Sequence, residues 1–151
     1  MISDCTAGDR KYRECETRRG KALRRTADGG SVALNLLIHM PNWIGDAVMS
    51  LPAVEAAAAD RAWRVTLLGR REPLALAEAI SGLAGTVRLP ARPSGLSGLG
   101  WFRDVARELR RGRYAAAVTL SPSFSSAALI AAAGARLRVG WTGQGRSLLL
   151  N

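Results

Sequence analysis

The sequence predicts an α/β protein, a three-layer sandwich in which helices cover both faces of a parallel sheet of about five strands. Three observations carry that expectation. From residue 32 onward, short apolar runs alternate with helical patterns, the order produced by parallel strands joined through helical crossovers. The first run, residues 33–40, meets a turn containing Pro41, Asn42 and Gly45; Ile44, Val48, Leu51, Val54 and Ala58 then mark one face of a helix. A chain of 151 residues that is 48% hydrophobic and 23% charged is one globular domain with a real core.

The elements follow in order. Residues 33–39 form the first strand, an apolar run broken by Asn35 and His39. The first helix spans 45–60, and Pro52 inside it is expected to kink it or start a fresh one, because proline removes a donor and crowds the preceding turn. WRVTLL, residues 63–68, reads as the second strand, followed by a helix over 72–80 and a short third strand over 86–89. Residues 91–100, rich in Gly, Pro and Ser, read as a loop. Trp101, Val105 and Leu109 share one face of an amphipathic helix over 101–111 whose arginines occupy the other faces. A buried strand over 115–120, an Ala-rich helix over 123–133 and a last strand over 137–141 complete a Rossmann-like pattern.

Residues 1–31 differ from the rest. They carry eight Lys/Arg, five Asp/Glu and almost no large apolar residues, so they are expected to form a basic, disordered extension. Cys5 and Cys15 both lie there, with nine residues between them and no histidine beside them; they fit no common metal spacing and read as reduced and idle. The sequence holds neither an apolar run of about 18 residues nor a signal-peptide core, which points to a cytoplasmic address. The net charge of +10 comes from 22 basic residues, all but two of them Arg. It suits an acidic partner such as phosphate, nucleic acid or an anionic membrane surface, and it is equally the mark of an Arg- and Ala-rich composition.

The turn after the first strand is the natural place for a site, since ligands of open parallel sheets bind at the carboxyl ends of strands. It is not a dinucleotide site of the usual kind: HMPNWIGDA has a single Gly, and the second strand ends in Gly69-Arg70-Arg71 rather than in an acid. No P-loop motif occurs either. Asp46 is the one acid at this turn, among only seven after residue 31. It reads either as a helix-start residue favoured by the dipole or as a general base facing a cleft. His39, the only histidine, reads more readily as a packed, hydrogen-bonded residue than as a catalyst. Trp43 could serve the core or stack on a sugar. Ser121, Ser123, Ser125 and Ser126 follow the fourth strand at the same edge; capping explains one of them and polar contacts to a ligand the others. No Ser-His-Asp set and no metal cluster can be assembled.

Three stretches carry a family resemblance. PNWIGDAVMSLPAV resembles the P-x-W-[IV]-G-D segment with which ADP-heptose:lipopolysaccharide heptosyltransferases, glycosyltransferase family 9, enter their first helix. LSPSFSSAAL, residues 120–129, is similar to the family's turn after strand four. RVGW, residues 138–141, with GRSLLLN, residues 145–151, is similar to its R-x-G-[WY] segment and the L-L-N beyond. The three occur in order over residues 34–151.

The resemblance implies the N-terminal, acceptor-binding domain of an inverting GT-B glycosyltransferase. It implies lipopolysaccharide inner core as acceptor, ADP-heptose as donor, no cofactor or metal, and no nucleic acid. The donor would sit on a C-terminal domain that the sequence does not contain, so the isolated chain is expected to be inactive. On the same grounds Asp46 is the expected general base, and Asn42, Trp43, Gly45, Ser123 and Ser125 are expected to bind the acceptor. Arg70, Arg71, Arg92 and Arg136 are candidates for its phosphates, and the enzyme would work peripherally at the inner face of the inner membrane. Pro122 and Ser125 stand where family members usually carry Asn and Lys, which leaves the acceptor sugar open. The alternatives are a non-catalytic Rossmann-like module for an anionic glycan or nucleic acid, and an inactive fragment.

Overall fold

A computed structural model describes residues 33–93, 97–141 and 148–150. The chain divides into two units, Met1–Val32 and Ala33–Asn151, and every described residue belongs to the second. The extension expected over 1–31 with its two cysteines, and Gly145, Ser147 and Asn151, lie outside the described residues.

The order along the second unit is β1 (Leu34–His39), α1 (Ile44–Ala59), β2 (Trp63–Gly69), α2 (Arg71–Leu76), β3 (Gly85–Arg88), α3 (Ser97–Arg111), β4 (Ala116–Thr119), α4 (Phe124–Ala132) and β5 (Leu137–Val139). All four pairings are parallel, and the strands lie in the order β3-β2-β1-β4-β5. This is the α/β sandwich read from the sequence. β1 sits in the middle, with His39 opposite Leu68 on one side and opposite Thr119 on the other.

β1 is apolar on both faces because helices cover both. Leu36 and Ile38 pack with Val65 and Leu67 of β2, Ala47 and Val54 of α1, and Leu74 of α2. Leu37 points the other way, onto Leu68, Ala117, Val105 and Leu109 of α3, and Leu129 and Ile130 of α4. The period-two alternation of a strand thus sorts the core into two layers. The polar residues that break the apolar run both have partners. Asn35 Nδ2 donates to Gly112 O at 2.8 Å, tying the end of α3 to β1; His39 meets Thr119.

Several boundaries differ from expectation. Of the two outcomes expected at Pro52, a fresh start does not occur: α1 runs through it as one helix. Proline deprives only the Val48 carbonyl of its donor, and Pro52 lies on the exposed face, where water can serve that carbonyl. α3 starts at Ser97, inside the expected loop. Gly98 and Gly100 are poor helix formers, but Trp101 Nε1 donates to Pro90 O at 3.2 Å, and Trp101 and Phe102 pack on the second core layer, which overrides local propensity. α2 is shorter than expected: it closes at Leu76, and Ala77 N–H and Ile80 N–H then donate to Leu74 O and Ala77 O in tight turns, each at 3.0 Å. Gly82 turns the chain toward β3 with φ +87°, and a Cβ there would stand 2.9 Å from Ala58 O. No helix among the described residues is long and apolar enough to cross a membrane.

Leu37 is fully buried on the central strand, so Leu37→Ala is expected to lower stability by about 2–5 kcal/mol in urea unfolding. Met49→Ala, at a residue 81% exposed, is expected to change it by no more than about 0.5 kcal/mol.

Candidate functional site

The strand order reverses at β1: the chain builds β2 and β3 on one side of it, then returns to place β4 and β5 on the other. The carboxyl ends of β1 and β4 flank that switch point, where open sheets bind ligands. A pocket of about 310 Å³ opens there, toward the α3–α4 face. Its size matches the smaller ligand pockets of proteins.

The polar lining comes from successive strand ends. His39 closes β1, Asn42 follows it, Arg70 follows β2, Arg92 lies beyond β3, and Ser125 and Ser126 open α4. The opposite wall is apolar: Leu99, Trp101 and Phe102 from the first turns of α3, with Phe124 and Leu129 from α4. Among the described residues neither Arg70 nor Arg92 has a carboxylate partner, whereas Arg107 and Arg111 on the outer face of α3 pair with Asp104 and Glu108. The pocket is therefore a cationic, half-apolar recess suited to an anionic ligand with a non-polar face.

His39 is 1% exposed and forms part of this lining. Its Nδ1 lies 3.4 Å from Thr119 Oγ1. The Thr119 hydroxyl also lies in donating reach of Ser121 O at 3.1 Å; with its single proton spent there, the shared contact calls for the Nδ1–H tautomer of His39. Nε2 is buried and has no hydrogen-bond partner among the described residues, and in that tautomer it is an acceptor. Burial disfavours the imidazolium and lowers the pKa of His39 from 6.5 to about 4.

The site residues expected from sequence divide into two groups. Asn42 and Ser125 line the pocket, as do Arg70 and Arg92. Ser123 does not; it caps α4, its Oγ accepting from Ser126 N–H at 3.1 Å and lying 2.6 Å from Ser126 Oγ. Asp46 stands exposed in the first turn of α1, at the same edge but outside the pocket lining. Trp43 precedes that helix 78% exposed, and a Cβ on Gly45 would meet nothing within 4 Å, so this turn presents an open surface. Arg71, exposed at the start of α2, is not part of the pocket. Nor is Arg136: it precedes β5 and so lies at the amino edge of the parallel sheet. Sequence reasoning missed the aromatic wall, since Trp101 and Phe102 fit the core face of an amphipathic helix equally well. No group of side chains suited to a metal ion occurs among the described residues.

The fold is a parallel α/β sandwich, and comparison with known proteins finds its likeness among glycosyltransferases. The profile of glycosyltransferase family 9 (heptosyltransferase) matches residues 102–151. Among solved structures, the ADP-heptose LPS heptosyltransferase II of E. coli is similar at a TM-score of 0.62 and 25% identity. The similarity covers 78% of this chain and 34% of that one, so the chain spans about a third of that enzyme's length. No curated protein sequence matches at a significant level. The chain thus resembles the family 9 heptosyltransferases, as its three motifs indicate.

Because folding lowers the pKa of His39, unfolded chains bind its proton first. Its contribution to stability is complete above about pH 6.5 and is lost as pH falls to about 4, amounting to about 3 kcal/mol. Urea unfolding at a series of pH values checks this: His39→Gln is expected to flatten the slope between these limits.

Proposed function

We propose that the chain is the acceptor-binding part of a heptosyltransferase II-like glycosyltransferase, which moves heptose from ADP-heptose to the inner core of lipopolysaccharide. The observation that carries this reading is one shared edge: Asp46, in the P-N-W-I-G-D turn, and the cationic pocket both sit at the carboxyl ends of the strands. The family 9 match over α3 to the chain end and the likeness to the E. coli enzyme support it.

The chemistry is a single displacement. An acceptor hydroxyl attacks the anomeric carbon of the heptose from the face opposite ADP; the new glycosidic bond forms as the bond to ADP breaks, inverting that centre. Asp46 takes the hydroxyl proton. The proton leaves late, during attack on a strong electrophile, so a carboxylate suffices to accept it. Arg70 and Arg92 hold an acceptor phosphate, Asn42 and Ser125 its hydroxyls, and the apolar wall the face of a sugar ring. Trp43 and Gly45 keep the approach to Asp46 open. The donor sits on a second domain, supplied outside these residues, and no metal or cofactor takes part. The acceptor is anchored in a membrane, so the enzyme works at the inner face of the inner membrane, where the Arg excess favours an anionic surface.

Calorimetry with deacylated, phosphorylated inner-core oligosaccharide tests the binding half. Arg70→Ala combined with Arg92→Ala is expected to weaken binding by about tenfold or more, an effect that disappears when the oligosaccharide is dephosphorylated. Joined to a donor domain, Asp46→Asn is expected to lower turnover by about 100- to 10,000-fold with unchanged affinity for ADP-heptose. Steeply salt-dependent binding to any DNA duplex, with none to the oligosaccharide, would instead identify a nucleic-acid module.

A further inference from the structure

His39 is the one titratable side chain of the pocket that the mechanism above leaves without a role. It does not behave as a core histidine with both nitrogens satisfied. Nδ1 contacts Thr119, whose hydroxyl also reaches Ser121 O, while Nε2 is buried with no hydrogen-bond partner among the described residues, and His39 forms part of the pocket lining. A buried acceptor without a donor is an uncommon arrangement in folded proteins and asks for a partner from outside the chain. Ser126, its polar neighbour in the lining, is already engaged with Ser123.

We infer that His39 Nε2 is the hydrogen-bond acceptor at the floor of the pocket and receives the proton of a hydroxyl on the bound sugar. The inference rests on the pocket being the acceptor site and adds a polarity to it. A bare lone pair repels a phosphate oxygen, so the phosphate lies toward the Arg70 and Arg92 side and a neutral polyol edge meets His39. The ring remains neutral through the physiological range, so it selects a donor and does not act as a cation. A sugar whose hydroxyl is absent or methylated at that point leaves Nε2 buried and unpaired, and is discriminated against. His39 is thus a specificity-determining residue.

The chain contains a single histidine, which makes the test unambiguous. Nitrogen-15 histidine labelling of the 151-residue chain gives one imidazole, read before and after adding deacylated, phosphorylated inner-core oligosaccharide. The expected result is a protonated Nδ1 and a bare Nε2 in the free protein, with Nε2 alone moving to the hydrogen-bonded position on binding. If the Trp101 indole signal shifts while Nε2 does not, the inference falls and the acceptor-site reading survives. If neither moves, both fall. An Nε2 already hydrogen-bonded in the free protein and unmoved by the sugar also overturns it, as does an imidazolium in the complex. His39→Phe keeps the ring volume and loses the acceptor; it is expected to bind the oligosaccharide about tenfold more weakly. His39→Gln, whose amide oxygen reaches a similar position, is expected to recover part of the loss. Undiminished binding by folded His39→Phe overturns the inference.

Discussion

Parallel strands cannot be joined by a tight turn; each pair needs a crossover, and crossovers are right-handed. When the chain moves outward from β1 to β3, that rule places α1 and α2 on one face. When it returns past β1 to build β4 and β5, the same rule places α3 and α4 on the other. The two helical layers therefore part between the ends of β1 and β4, and no crossover covers the gap. The pocket lies at this reversal, and its polar lining comes from residues at or just past the strand ends, while α3 and α4 supply the apolar wall.

The edge has two zones of different character. On the α1 side stand an exposed carboxylate and an exposed tryptophan on an open turn. On the α3–α4 side is a recess with two guanidiniums that have no carboxylate partner among the described residues, hydroxyls and an aromatic wall. In the proposed reaction a ligand held by the recess would extend across the strand ends toward Asp46, and binding and proton transfer would fall to different elements. That division suits an enzyme whose acceptor is large and charged and whose reacting hydroxyl is a small part of it.

Much of this was legible in the sequence, for identifiable reasons. Strands and helices were readable because burial on both faces makes β1 an apolar run interrupted only at Asn35 and His39, and because Val54 and Leu109 fall at helical spacing. Arg70 and Arg92 could be singled out because a residue just past a strand end is delivered to the ligand edge by chain geometry alone. Arg136 escaped that logic, since it precedes its strand. Helix ends were less legible: α3 begins among glycines because Trp101 and Phe102 anchor it, a tertiary contact with no local signature. The commitment of Nδ1 of His39 to Thr119 was hidden for the same reason, as the two are 80 residues apart and meet only through strand register.

The alternation along β1 also restricts how the protein can vary. Leu36 and Ile38 belong to one layer, and Leu37 and His39 to the other. Adding or deleting one residue between Leu36 and Ile38 would invert every later assignment, sending His39 into the apolar layer beneath α1 and presenting an aliphatic side chain to the pocket. The strand obeys a parity rule that the loops do not. Changes in the length of β1 are admissible only in pairs.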